Sequence, residues 1–364
     1  MARAGSDKGP PDPAFESPEC RRSFIGNSDI ETQAARLVAR GDLTNGWLLT
    51  GPAGIGKATF AFRIARALLS SKTVDTGFNV DETSATSGAN DLNFNAYGST
   101  KGADLIAAGA HPDLFVARTS WNEKTQKFAQ DISVETIRQL TRSLGQTPSM
   151  GSWRVAIIDT ADDMNRNAAN ALLKVLEEPP KRTTLLLLST QPGRLLATIR
   201  SRCRRLSLKQ VDEQAIKAFL ENEGAATGDD AETIATASRG RPGFALSLAA
   251  ADGVAAINAV DAFMKSVGRA GIPDAVINQL TGRGAEEAWR IFKDLLSERL
   301  TSRIIAVAEK GEAGISGCID ARDDSLELLG RGDALNLDRG PLLREVARRM
   351  RPMGPILTEF NRLK

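Results

Sequence analysis

Gly51–Pro52–Ala53–Gly54–Ile55–Gly56–Lys57–Ala58–Thr59 decides how the rest of this chain is read. Gly51, Gly56 and Lys57 satisfy the G-x-x-x-x-G-K part of a phosphate-binding loop, in which backbone amides and a lysine surround phosphate oxygens. The apolar run Gly46–Trp47–Leu48–Leu49–Thr50 feeds the loop as a short strand, and Phe60, Ile64, Ala67 and Leu68 recur behind it at helical spacing. Strand, glycine loop and helix is the context such a loop requires, because the helix N-terminus adds its own amides to the cradle. Ala58 departs from the pattern: it stands where a Ser or Thr hydroxyl should hold Mg²⁺. Thr59 lies one residue on, about 100° around the helix, and is a poor substitute.

A second departure lies about a hundred residues downstream. Trp153–Arg154–Val155–Ala156–Ile157–Ile158–Asp159 reads as an apolar strand ending in a carboxylate, followed by Thr160 where a water-polarising glutamate belongs. Asp159 has two readings, a Mg²⁺-associated acid and a strand-end aspartate that caps the next helix. Asp162 and Asp163 read as caps or solvated acids. Gly51, Gly54, Gly56, Lys57, Ala58, Thr59 and Asp159 thus form a candidate nucleotide site that is incomplete on its hydrolytic side. Whether the site binds ATP is open at this level.

The chain has 364 residues and a formal net charge of +2, so no bulk charge draws it to nucleic acid or membrane. Three distant cysteines (Cys20, Cys203, Cys318) exclude a disulfide framework and fit a reducing compartment. With His111 as the single histidine there is no zinc ligand set, and His111 before Pro112–Asp113 reads as a turn residue. No signal segment and no run of transmembrane length is visible, which predicts a cytoplasmic protein.

Residues 71–109 are rich in Ser, Gly, Asn, Asp and Thr and read as an insertion or partly disordered loop. Order returns with a strand at Asp113–Val116 and a helix carrying Ile132, Ile137, Leu140 and Leu144. Met164, Ala168, Leu172 and Val175 mark a helix that Pro179–Pro180 stops, and Leu185–Leu188 and Arg205–Leu208 read as strands. Such alternation predicts an α/β fold with a parallel sheet covered on both faces. Beyond Lys209 only helical patterns remain, among them Ala288–Val307 and Leu342–Met350.

Thr198–Ile199–Arg200–Ser201–Arg202–Cys203–Arg204–Arg205 holds four arginines in six residues. It reads either as a solvated basic face or as an arginine finger offered to a phosphate in a neighbouring subunit. Cys203, with no histidine near it in sequence, reads as a small packing residue.

Asn167–Ala168–Ala169–Asn170–Ala171–Leu172–Leu173–Lys174–Val175–Leu176–Glu177–Glu178–Pro179–Pro180, followed by Ser201–Arg202–Cys203 and joined to His111–Pro112–Asp113 and the glycine loop, resembles bacterial clamp-loader subunits of the AAA+ family. The resemblance covers roughly residues 23–208 by motif and the helical remainder by architecture. It implies an arm (1–22), an AAA+ domain (23–209), a helical lid (210–252) and a helical collar (253–364) that builds a ring. The polar insertion (71–110) occupies the place of the family's four-cysteine zinc module without a cysteine, so no zinc is expected. In this family Ser201–Arg202–Cys203 presents Arg202 to ATP on an adjacent motor subunit. Ala58 and Thr160 set the chain apart from those motors and imply a stationary subunit without ATPase activity of its own, within the DNA polymerase III holoenzyme. The lid arginine that motors place on ATP falls at Gly243, with Arg241 out of register. Expected partners are gamma/tau-type motor subunits, a delta subunit, and the sliding clamp and primed DNA through the assembly. The alternative is a catalytically active motor subunit.

Overall fold

Strand β1 (Gly46–Thr50) is buried along its whole length and delivers the chain into the glycine loop. The computed structural model describes residues 15–43, 46–70, 94, 100–122, 127–129, 131–151, 153–251, 253–267, 271–282, 285–309 and 315–354. In chain order the elements up to the last strand are α1 (Ser28–Arg40), β1, α2 (Lys57–Ser70), α3 (Lys101–Ala107), β2 (Leu114–Ala117), β3 (Trp121–Asn122), β4 (Lys127–Phe128), α4 (Val134–Leu144), β5 (Arg154–Ile158), α5 (Arg166–Glu177), β6 (Thr183–Ser189), α6 (Ala197–Arg202) and β7 (Cys203–Ser207). Five of the strands form one parallel sheet in the order β2-β5-β6-β1-β7, and β3 and β4 pair as a separate short antiparallel ribbon.

Alternation along the strands sends side chains to two cores, as a pleated sheet requires. Trp47, Leu49, Val155, Ile157, Leu186 and Leu188 pack with α1 and α2 on one face. Leu48, Ala156, Ile158, Leu185 and Leu187 pack with α4 and α5 on the other. Each buried Leu, Ile or Phe contributes about 1.5–3 kcal/mol, so the two covered faces stabilise this sheet beyond its backbone ladder. This is the α/β fold with a parallel sheet covered on both faces that the sequence predicts, followed by helices.

Helices α1 and α3 go beyond the sequence expectation. Helix α3 lies at the end of the 71–109 stretch, which the sequence reads as an insertion or partly disordered loop: its first turn is capped by the Thr100 hydroxyl, which accepts from the N–H of Ala103 at 3.1 Å. Residues 71–93 and 95–99 of the polar insertion lie outside the described residues, as do residues 1–14 of the arm. The described part of the arm is tied across α2 by two buried arginines. Arg66 donates to the carbonyls of Glu19 at 2.7 Å and Arg21 at 2.6 Å, and Arg63 donates to the carbonyl of Arg22 and pairs with Glu31.

Helices α7 (Glu213–Asn222), α8 (Gly228–Ser238), α9 (Pro242–Ala250), α10 (Gly253–Ser266), α11 (Asp274–Thr281), α12 (Glu286–Glu309), α13 (Ile315–Ala334) and α14 (Arg339–Arg349) follow, with no further strand among the described residues. Two compact units result: one reaches Ile216 and includes Gly240–Phe244, and the other holds Lys217–Arg239 and the chain from Ala245. The second unit is built around Phe263, Trp289 and Phe292, with Phe263 and Phe292 edge to face at 5.3 Å. No single helix among the described residues is long and apolar enough to cross a membrane.

Candidate functional site

The glycine loop closes on its own lysine. Lys57 is 8% exposed, and its ammonium donates to the carbonyls of Gly51 at 2.8 Å and Pro52 at 2.9 Å. Burial pulls its pKa down to about 8, against the favourable charges of Asp159 and Asp162. The structure thus brings Lys57 and Asp159 into electrostatic range of each other. Gly51, Gly54 and Gly56 all have positive φ, a backbone path open to glycine and closed to most side chains. Ala58 packs its methyl against the core on the α1/α2 face, and Thr59 is buried. No side-chain oxygen therefore stands at position 58, where a Mg²⁺ ligand belongs, so the residues present do not fit a metal–nucleotide complex at that point.

The acid end is equally specific. Asp159 follows β5, and burial raises its carboxyl above the ordinary range while Arg118 and Lys57 pull it down and Glu19 pushes it up. Asp162, expected to cap or solvate, does something else. Its carboxylate accepts from the Ser189 hydroxyl at 2.6 Å, the Thr190 N–H at 2.6 Å and hydroxyl at 2.8 Å, and the Gln191 N–H at 3.2 Å. Burial alone would raise this group, but the hydrogen bonds outweigh it and hold it below the ordinary carboxylate range. An acid so fully engaged ties β5 to the end of β6 and makes a poor base for water.

Two aromatic side chains that the motif reading passes over border the loop. Phe24 stacks on Phe60 at 5.3 Å, and its ring edge lies 3.3 Å from where a Cβ on Gly56 would stand. At the start of α9, the N–H of Gly243 donates to the carbonyl of Gly54 at 2.8 Å, and Phe244 lies 2.7 Å from the place of a Cβ on Gly54. Arg241, the out-of-register arginine, rests on the Phe244 ring at 4.1 Å. His111 accepts from the N–H of Asp113 at 3.1 Å, and Asp113 accepts from the N–H groups of Ser149 and Met150, so this motif closes a turn.

Arg202 sits elsewhere. It is the last residue of α6, and β7 starts at Cys203, two residues ahead of the expected Arg205. Cys203 pairs with Gly46 at the beginning of β1, whereas the glycine loop leaves β1 after Thr50. At about 3.3 Å per residue, the four steps between them set the Ser201–Arg202–Cys203 junction roughly 13 Å along the sheet from its own loop. The Arg202 guanidinium is exposed, pairs with Glu177 at 2.7 Å, and donates to the carbonyl of Thr198 at 3.0 Å. Ser201 donates its hydroxyl to the same Thr198 carbonyl at 3.1 Å. Cys203 fills the space over Gly46 beside Leu176, and burial pushes its thiol up to about 12, the state of a packing residue. Arg204 lies over the Trp47 ring at 5.6 Å and Arg205 donates to the Thr50 hydroxyl at 3.1 Å, while all four arginines of the stretch are exposed. Glu177 gives no local signal of this pairing; only the packing of α5 on α6 creates it. Among the described residues no group of three or more His, Cys, Asp or Glu side chains could hold a metal.

The chain is 40% identical to DNA polymerase III subunit delta' of Pseudomonas aeruginosa over 46% of its own length and 44% of that protein's. It is 36% identical to DNA polymerase III subunit delta' of Escherichia coli over 42% and 43%, respectively. It is 28% identical to DNA polymerase III subunit tau of Escherichia coli over 56% of this chain and 28% of that protein. The matched stretch thus spans less than half of each of these relatives. Residues 26–212, more than half of the chain, match the family described as DNA polymerase III, delta subunit, and with delta' subunits among its relatives the chain belongs to that family.

Proposed function

We propose that this chain is a stationary, delta-prime-type subunit of a DNA polymerase III clamp loader. It helps load a sliding clamp onto primed DNA in the cytoplasm and donates Arg202 in trans to ATP held by a gamma/tau-type neighbour. The observation that carries this reading is the position of Arg202, exposed beside Gly46 at the opposite end of β1 from its own loop. An arginine so placed cannot reach the phosphates of its own site and is exposed where another subunit's could approach it.

The loop's own chemistry points the same way. A motor would need an oxygen near position 58 and an available base beyond β5, and here a methyl packs at the first and Thr160 occupies the second. Asp162, the nearest replacement acid, is engaged by Ser189, Thr190 and Gln191. Lys57 keeps the capacity to hold a phosphate without the means to hydrolyse it. In this reading the helices beyond β7 serve as lid and collar, and a delta subunit, clamp and DNA are met through the assembly. Arg202→Ala in the reconstituted loader tests the reading: hydrolysis at the interface this chain serves should fall by about 10³-fold, the scale of an arginine finger. Unchanged hydrolysis in a correctly assembled loader would overturn it.

A further inference from the structure

We infer that Glu177 is the positioning residue for Arg202, holding its guanidinium at the angle from which it meets a neighbour's phosphate; the inference rests on the finger reading above. A solvent-exposed arginine samples many rotamers, and fixing one at the moment of reaction slows the reaction it serves. Here the side chain is fixed beforehand from two sides. Glu177, the last residue of α5, takes one terminal nitrogen at 2.7 Å, and the Thr198 carbonyl in the first turn of α6 takes the other at 3.0 Å. Ile199 in α6 and Leu176 in α5, both buried, anchor the two helices, so each support sits on packed backbone.

The arithmetic of donors leaves the finger usable. A guanidinium has five N–H groups in a planar fork. The Glu177 and Thr198 bonds use two, and a long contact from the Thr198-bound nitrogen to the Ser201 hydroxyl at 3.5 Å uses at most one more. At least two donors remain among the described residues, the number a pair of phosphate oxygens takes. A latch that withholds the arginine predicts the opposite outcome. With the two side chains 35% and 49% exposed, the ion pair is too weakly held to compete with a desolvated triphosphate, whereas it is strong enough to select a rotamer.

The test is a set of variants in the loader reconstituted with gamma/tau-type subunits, read as steady-state ATP hydrolysis with kcat and KM separated. Glu177→Ala should lower kcat about tenfold with KM for ATP unchanged, the effect of a catalytic group held loosely. Glu177→Gln, which retains an acceptor, should stay within about twofold of the parent rate. In an Arg202→Ala background, Glu177→Ala should have no further effect, because the residue acts only through the arginine. Loss of hydrolysis in Arg202→Ala with a parental rate in Glu177→Ala overturns the positioning role alone. A faster Glu177→Ala enzyme overturns it in favour of a latch, and a Glu177→Gln defect equal to that of alanine overturns it by marking charge rather than placement. A parental rate in Arg202→Ala removes the finger reading itself.

Discussion

The N–H of Gly243 donates to the carbonyl of Gly54 at 2.8 Å, fastening the start of α9 to the tip of the glycine loop. This bond satisfies one of the amides that a helix N-terminus leaves without an internal partner. It also brings Phe244 so close that a Cβ at Gly54 would stand 2.7 Å from its backbone nitrogen. Gly41, which ends α1, has a similar φ of +69° against +77° at Gly54, but nothing within 4 Å of its absent Cβ. Gly41→Ala should therefore cost only the left-handed strain, about 1–2 kcal/mol. Gly54→Ala should add overpacking of about 1–3 kcal/mol. Urea midpoints at constant m-value measure both; equal losses would show that the loop tip and α9 do not touch in solution.

Much of this arrangement is legible in the sequence because the sheet is buried on both faces. Strands such as Leu185–Leu188 read as continuous apolar runs, and the glycine loop is punctuated by residues that only a tight phosphate cradle needs. The misplacements are local. Ile132 and Met164 share the apolar character of the helices they precede, yet the two meet in a parallel bridge before α4 and α5 begin. Asn27, which precedes α1, is left-handed and makes no side-chain cap bond, so the usual start signal is missing. Phe24, Phe244, Asp162 and Glu177 gain their roles from neighbours distant in sequence, and no spacing rule reaches that far.

The depressed pKa of Lys57 gives stability a definite pH dependence. The folded value is about 8 and the ordinary value 10.5, so between these limits the unfolded chain binds a proton that the folded chain does not. Stability therefore rises with pH across that interval, and below pH 8 the full penalty of the buried charge is present. At 1.36 kcal/mol per pH unit the gain is at most roughly 3 kcal/mol. A neutral amine keeps two N–H donors, enough for the Gly51 and Pro52 carbonyls. The unfolding free energy of the parent minus that of Lys57→Met should climb between pH 8 and 10.5. A flat difference would show that the amine is not buried in the loop.

Glu31 should be one of the costliest acids to remove. Its side chain is 12% exposed, pairs with the 4%-exposed Arg63, and accepts the N–H of Phe94 at 3.2 Å. Glu31→Ala removes the carboxylate paired with a buried arginine charge, for a loss of about 3–5 kcal/mol. Replacing both residues by methionine should cost less than the sum of the single changes, because the second change removes the buried charge itself. A single-variant loss below about 1 kcal/mol in chemical denaturation, the range of an exposed pair, would refute the buried pairing.

Cys203 follows the proposed finger directly, and its reactivity separates a packing role from a chemical one. Its Sγ would stand 3.1 Å from a Cβ on Gly46, and burial pushes its pKa from 9.0 to about 12. At pH 8 the thiolate fraction is then about a thousandfold below that of an ordinary thiol, and the thiolate is the reactive form. Iodoacetamide should label Cys203 in the native chain at least about 100-fold more slowly than in urea, read site by site by mass spectrometry. Cys203→Ala should keep the fold, since alanine also fits beside Gly46 and Leu176, at a loss of about 1 kcal/mol from the contacts of one sulfur. Rapid native labelling would instead place the thiol at the surface of the junction, and Arg202 would then rest on a less rigid support than its contacts with Glu177 and Thr198 imply.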